Sequence, residues 1–182
     1  DWSSDVCSSD LGGTEYLHEK EVDLATTLDV DTRESRFVFK ETRIKLEDLA
    51  FTVDGSVTAK KATRLQLSIV SNEADLSSFI SLLPRQYVDY FKEYKTEGRF
   101  EFNMQLSGSG SAPGVAARFI VKEGKLTPPD GEVSLDQLQL AGDYSSAGAG
   151  GKGLLNIPSI EAHLRAQPLK ADLQLEDFSQ PF

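Results

Sequence analysis

The sequence has 182 residues, 29 of them acidic and 19 basic, for a formal net charge of −10. These charges are interspersed, which argues against nucleic acid, a partner that wants clustered Lys and Arg. No apolar run approaches the roughly 20 residues of a membrane span, and the length suits one modest domain or a section of a longer repetitive sheet.

The chain opens DWSSDVCSSDL. Residues 1–11 resemble one reading frame of a short-read sequencing adapter and are set apart from the fold, as an expression tag would be. The only Trp (Trp2) and the only Cys (Cys7) lie in that segment, so the remainder has no disulfide and no cysteine metal site. Without Asp1, Asp5 and Asp10 the balance is 26 acidic to 19 basic. Residues 12–182 read as a single section of one domain, truncated at both ends, with any signal peptide or membrane anchor expected upstream.

From Glu21 onward apolar residues alternate with polar ones, the period of a half-buried strand. Glu21 to Asp31 places Val22, Leu24, Thr26, Leu28 and Val30 on one face, and Thr32 to Ser35 is a polar turn. Arg36 to Lys40 is a short strand with Phe37 and Phe39 inward, and Thr42 to Leu46 another with Ile44 and Leu46 inward. Leu49 to Val53 adds Leu49, Phe51 and Val53; Asp54-Gly55 then suits a tight hairpin or a bulge. Val57 and Ala59 continue the strand, Lys60-Lys61 is a solvated connection, and Arg64 to Ser71 alternates through Leu65, Leu67 and Ile69.

The rhythm then changes. In Asn72 to Gly98 the apolar residues fall at Leu76, Phe79, Ile80 and Leu83, then at Tyr87, Phe91 and Tyr94, the three-and-four spacing of a helical face. This predicts one broken helix over about 74–96. Asn72 or Asp75 caps its start. Pro84 ends the first half and starts the second.

Arg99 to Leu106 is the strongest strand, with Phe100, Phe102, Met104 and Leu106 on one face. Ser107 to Gly114 reads as a flexible turn. Val115 to Lys122 aligns Ala117, Phe119 and Val121; Glu123-Gly124 is a turn, and Thr127 to Gly131 a loop whose prolines exclude ladder bonds. Val133 to Tyr144 puts Leu138, Leu140, Gly142 and Tyr144 in one row. Ser145 to Gly153 is a mobile hairpin tip, and Leu154 to Ile157, Ile160 to Ala166 and Leu169 to Leu175 close the chain as strands. LEDLAFTVDGSVTA, SLDQLQLAGDYSS and PLKADLQLEDF share alternating Leu positions with an Asp or Gly-Asp at the bend, a loose repeat about one hairpin long.

A sheet with one apolar face must bury it somewhere. A sandwich or barrel core is the plain solution for such stripes. The sharper one is a mainly β fold: an extended, curved, largely antiparallel sheet whose apolar groove holds acyl chains, with the broken helix as its lid. On that reading Leu76, Phe79, Ile80 and Leu83 cover one end or edge, and Tyr87, Phe91 and Tyr94 pack below. A closed lipocalin-like barrel is a third solution, against which the interrupting helix speaks.

Two runs, LDVDTRESRFVFKETRIKLEDLAFTVDGSV and DLSSFISLLPRQYVDYFKEYKTEGRFEFNMQLSGS, resemble the AsmA-like family of Gram-negative envelope proteins, the AsmA/TamB type with a repeating β groove. The strongest marker is SLLPRQYVDYFKEYKTEGRF, a Leu-Leu-Pro helix break before an aromatic helix that launches a strand. LEDLAFTVDGSV and LQLAGDYSS with LKADLQLEDFSQP follow the family's Gly-turn strands and closing pattern. The resemblance spans Val22 to the C-terminus and implies a periplasmic section of an inner-membrane-anchored protein. It also implies an apolar groove for phospholipid or other acyl lipid, serving lipid transport and outer-membrane biogenesis. It brings no catalytic residue and no cofactor. Position by position it implies lipid contact, or plain core, at Leu24, Leu28, Phe37, Phe39, Ile44, Phe51, Leu67, Ile69, Phe100, Phe102, Met104 and Phe119. The alternative role is structural: a module for outer-membrane proteins acting through sheet-edge pairing, without ligand.

Enzyme chemistry is not expected. His18 and His163 are isolated, His163 on the wet face, and a metal site needs more ligands. No Ser sits in G-x-S-x-G. The stretch Gly148 to Gly153 lacks the helix setting and the Lys-Ser/Thr of a phosphate loop. Glu47-Asp48 and Glu176-Asp177 read as turn or solvated carboxylates.

Overall fold

The computed structural model describes residues 2–11, 14–46, 49–81, 91–146 and 152–176, with side chains from residue 23 onward except at 72, 73 and 81. The period-two alternation becomes ten strands: β1 (Trp2–Leu11), β2 (Thr14–Asp31), β3 (Arg36–Leu46), β4 (Leu49–Ala59), β5 (Thr63–Asp75), β6 (Lys95–Ser109), β7 (Ala112–Thr127), β8 (Leu135–Ser146), β9 (Leu154–Leu164) and β10 (Gln167–Glu176). They lie side by side in chain order in one curved sheet, each antiparallel to its neighbour. The sheet is not closed. Both the sandwich and the barrel are thereby excluded for the described residues, since β1 and β10 end the order without meeting.

Several strands expected as separate pieces run on through bulges. β3 is continuous across Glu41, whose φ of 49° lets one extra residue slip into the ladder. Opposite it, the Glu41 N–H donates to Asp54 Oδ1 at 2.7 Å. Asp54-Gly55 is therefore a bulge partner inside β4, not a hairpin. Gly55 has φ 135°, and a Cβ there would lie 2.0 Å from the Gln66 carbonyl oxygen, so only glycine lets β5 approach. The expected turn at Glu123-Gly124 is likewise a bulge within β7, with Glu123 at φ 54° and a register shift between Val121 and Gly124. In β9, Pro158 falls where the ladders to β8 and β10 both skip, a place where its missing N–H costs nothing.

The flexible turn expected over Ser107 to Gly114 is instead a tight hairpin. Ser107, Gly108 and Ser109 pair with Gly114, Pro113 and Ala112, leaving Gly110 and Ser111 as the turn. β8 begins at Leu135 rather than Val133, and β9 is one strand where two were expected. The segment set apart at the N-terminus lies along β2 as β1, with three register shifts in that ladder. Main-chain pairing at an open edge asks little of side chains, and β2 accordingly begins at Thr14 rather than Glu21.

The strands on either side reach farther into the predicted helical span than its period suggests. β5 continues to Asp75, which pairs with Arg99, and β6 starts at Lys95. Between them, among the described residues, stand α1 (Leu76–Ser81) and a helical Phe91. Asp75 occupies the capping position and accepts the Ser77 hydroxyl, whereas Asn72 belongs to the strand. Residues 82–90, with Leu83, Pro84 and Tyr87, lie outside the described residues, as do 147–151 of the expected hairpin tip and the Glu47-Asp48 pair.

Candidate functional site: an apolar trough beside a helix

Direct partners across an antiparallel ladder share a face, so the register assigns the faces. Leu24 faces Ile44, Ile44 faces Phe51, and Val53 faces Ile69. Ile69 then faces Met104, Met104 faces Ala117, and Phe102 faces Phe119. Farther along, Leu28 and Phe39 pair, and Leu67 pairs with Leu106. Phe37 lies opposite Val30 and Val57. The twelve positions named from the sequence therefore share one apolar face, across β2 to β7.

That face is divided along its length. At the α1 end lies a packed cluster: Leu49, Ala74, Leu76, Phe100, Val121, Leu138 and Ala162 are buried, with Phe79 and Ile80 of α1 laid against them. The Phe79 ring stacks on Phe100 with centroids 3.7 Å apart and planes inclined by 22°. Phe119 lies 6.5 Å beyond Phe100, and Phe51 meets Phe102 edge-on at 5.7 Å. The helix is thus held by aromatic contact with β6, as a lid over this end.

Beside the lid the face opens into a trough of about 460 Å³. Its walls are Ile44, Phe51, Val53 and Ile69 on one side, and Phe102, Met104, Ala117 and Phe119 on the other, with Phe79 and Phe100 at the helix end. No polar side chain lines it. The two buried polar side chains nearby are satisfied: Ser71 donates to the Ala50 carbonyl at 2.9 Å, and the Thr26 and Thr42 hydroxyls bond each other at 2.7 Å. A pocket without unpaired polar atoms accepts hydrocarbon and gives water nothing to bind.

Of the lid residues, Leu76 is buried and Phe79 and Ile80 are half-buried against the cluster. Phe91 and Tyr94 pack on each other with centroids 6.2 Å apart, but Tyr94 is 42% exposed rather than packed below the lid. It sits in the turn into β6, its N–H bonded to the Phe91 carbonyl, and the turn carries its ring outward. Val53 and Ala117 complete the trough although neither was among the expected contacts; both continue a period-two row. Thr42 and Ser71 hold apolar-face positions in the same rows, and their polarity hid them.

The opposite face is polar and carries cross-strand ion pairs, among them Arg118–Asp143 and Lys122–Glu101. Larger hollows on this side, of about 610 and 490 Å³, have mixed linings in which Arg36, Ser56, Gln66 and Ser107 recur. His163, expected to face water, is half-buried opposite Asp136, and its Nδ1 is buried without a hydrogen-bond partner. The Asp136 carboxyl is held below its ordinary range, chiefly by the Ser134 hydroxyl and also by Lys125 and His163, against an opposing effect of burial. The hydroxyl bonds the carboxylate and not the imidazole, so these three do not form a nucleophile–base pair. Among the described residues no group of three His, Cys, Asp or Glu side chains stands together as a metal site. Comparison of the chain with protein-family models, with curated proteins and with solved structures returned no match.

Proposed function

We propose that this chain is a section of an AsmA-like envelope protein that holds the acyl chains of phospholipid, or of another acyl lipid, in its apolar groove. The role is non-catalytic and needs no cofactor. It carries with it a periplasmic setting, an inner-membrane anchor in the parent protein, and a part in lipid transport and outer-membrane biogenesis. The observation that supports it is the trough of about 460 Å³ on a sheet face that only α1 covers among the described residues. A free apolar face of this kind marks an interaction surface, and its alternating aromatic and aliphatic walls suit a flexible hydrocarbon.

Native mass spectrometry of the purified chain tests the reading directly. Co-purified phospholipid is expected, and Phe102→Ser with Met104→Ser should abolish it while the protein keeps its fold. Finding no lipid, together with collapse of the fold in that variant, would reduce the trough to ordinary core.

A second reading has its own observation. β10 is exposed along its whole length, with Leu169, Leu173 and Leu175 in water, an edge suited to pairing with a strand of an outer-membrane assembly protein. Cross-linking from 169–175 that captures a protein partner, with no lipid recovered, would decide for it.

A further inference from the structure

The two ends of the sheet differ in charge. The turns β2–β3, β4–β5 and β6–β7 all lie at the end away from α1. Residues 31–36, 59–64 and 109–112 bring Arg33, Arg36, Lys60, Lys61 and Arg64 there, against Asp31 and Glu34 alone, in a chain of net charge −10. Lys60 pairs with Glu34, and the Asp31 carboxylate is taken up by the backbone N–H groups of Arg33 and Glu34. Arg33, Arg36, Lys61 and Arg64 are exposed and have no ion pair among the described residues. At the α1 end cations and carboxylates are mixed, with Arg43, Lys45 and Arg165 beside the β3–β4 and β9–β10 turns. There Lys95, Arg99 and Lys125 are held by Glu97, Glu123 and Asp136, and Glu93, Asp130 and Glu132 add further acid.

The basic end is one built surface. The Ala59 N–H donates to the Ser35 carbonyl and the Gly110 N–H to the Thr63 carbonyl, each at 2.8 Å, so the turns are tied edge to edge. Just inside it, Arg36, Thr58 and Arg64 line the hollow of about 490 Å³, whose walls hold no carboxylate. On the apolar face beside the same rim, Leu28 and Val30 are 43% and 51% exposed.

We propose that this rim docks on the surface of a bilayer that contains anionic phospholipid. Guanidinium groups match phosphate oxygens in paired hydrogen bonds. Each cation near such a surface is attracted within a Debye length of it, while Leu28 and Val30 reach the headgroup–acyl boundary. The α1 end points away. The strands then stand on the bilayer with the uncovered part of the apolar face toward it. The proposal goes beyond the groove reading and does not rest on it.

Flotation of the full chain with vesicles tests it, using phosphatidylcholine alone and an equal mixture with phosphatidylglycerol. Binding is expected only to the anionic vesicles and should weaken as salt rises. The triple reversal R33E/K61E/R64E should weaken it by about tenfold or more, because each cation contributes separately. R43E/K45E/R165E makes the same change of net charge away from the rim and should leave it within about twofold. Equal loss in the two triples, binding to neutral vesicles as strong as to anionic ones, or indifference to salt would overturn the proposal. Hydrogen exchange of the unmodified chain needs no variant to fold: protection by anionic vesicles belongs at 31–36 and 59–64, and protection at the α1 end instead refutes the docking. Uptake of a soluble fluorescent fatty acid should be unchanged in the rim triple, so loss of acyl binding and loss of docking are told apart.

Discussion

Phe100 is 4% exposed and meets Phe79, Phe102 and Phe119 within 6.5 Å. Phe102, two residues on and on the same face, is half-buried because it borders the trough. The two should therefore separate stability from binding. Phe100→Ala is expected to cost about 3–5 kcal/mol, as truncation of a buried Phe does, in urea unfolding. Phe102→Ala should cost less stability and more acyl-chain affinity. The reverse order would mean that the trough, not the cluster, is the core. Asp136 offers a test in pH. Its carboxyl is depressed in the folded state, so the stability it contributes is present above the unfolded carboxylate range and is lost as pH falls through the folded value. Ser134→Ala removes the largest cause of that depression, and the acid-side loss should begin at a higher pH. Carboxyl NMR titration reads the change directly, and an unmoved Asp136 resonance would discount the hydroxyl.

At the scale of the element, what distinguishes these strands from simple hairpin pieces is the bulge. Glu41, Glu123 and Gln137 all have φ between 49° and 54°, and each sits where a ladder skips a residue. Bulges add local twist and bend the strand, which accounts for long strands in a curved sheet. The repeat read from LEDLAFTVDGSVTA, SLDQLQLAGDYSS and PLKADLQLEDF falls on β4, β8 and β10, so its unit is one strand and not a hairpin. Gly55 is the sharpest point of this geometry. Gly55→Ala should destabilise by more than ~1 kcal/mol, since both the positive φ and the approach of Gln66 forbid a side chain. Gly131→Ala, with no atom within 4 Å of its added Cβ, should cost clearly less. Comparable melting temperatures for the two variants would contradict the β4–β5 register.

Taken whole, the molecule exposes 12386 Å² for a mass of 20.0 kDa, whereas a compact protein of that size exposes about 8,700 Å². Among the described residues one open sheet, with little helix laid against it, cannot fold its surface away. Small-angle scattering should then give a radius of gyration well above the ~16 Å of a compact domain of this length. A value near that figure would mean that the sheet closes on itself in solution.

The alternation of Leu, Phe and Ile with polar residues was enough by itself to place most of the strands, the shared apolar face of β2 to β7, and the break in rhythm near Leu76. These follow from the period of the extended chain, which is local. It could not say which irregularities are turns and which are bulges, because Asp54-Gly55 and Glu123-Gly124 suit either until a neighbouring strand supplies the partner. Nor could it set the end of the helix period at Asp75, where pairing with Arg99 outweighs local spacing. Whether the apolar face is covered, and that Arg33, Arg36, Lys61 and Arg64 meet at the end away from α1, depend on strand order. Only the tertiary structure decided those, since they are properties of ten strands laid side by side and of no single stretch.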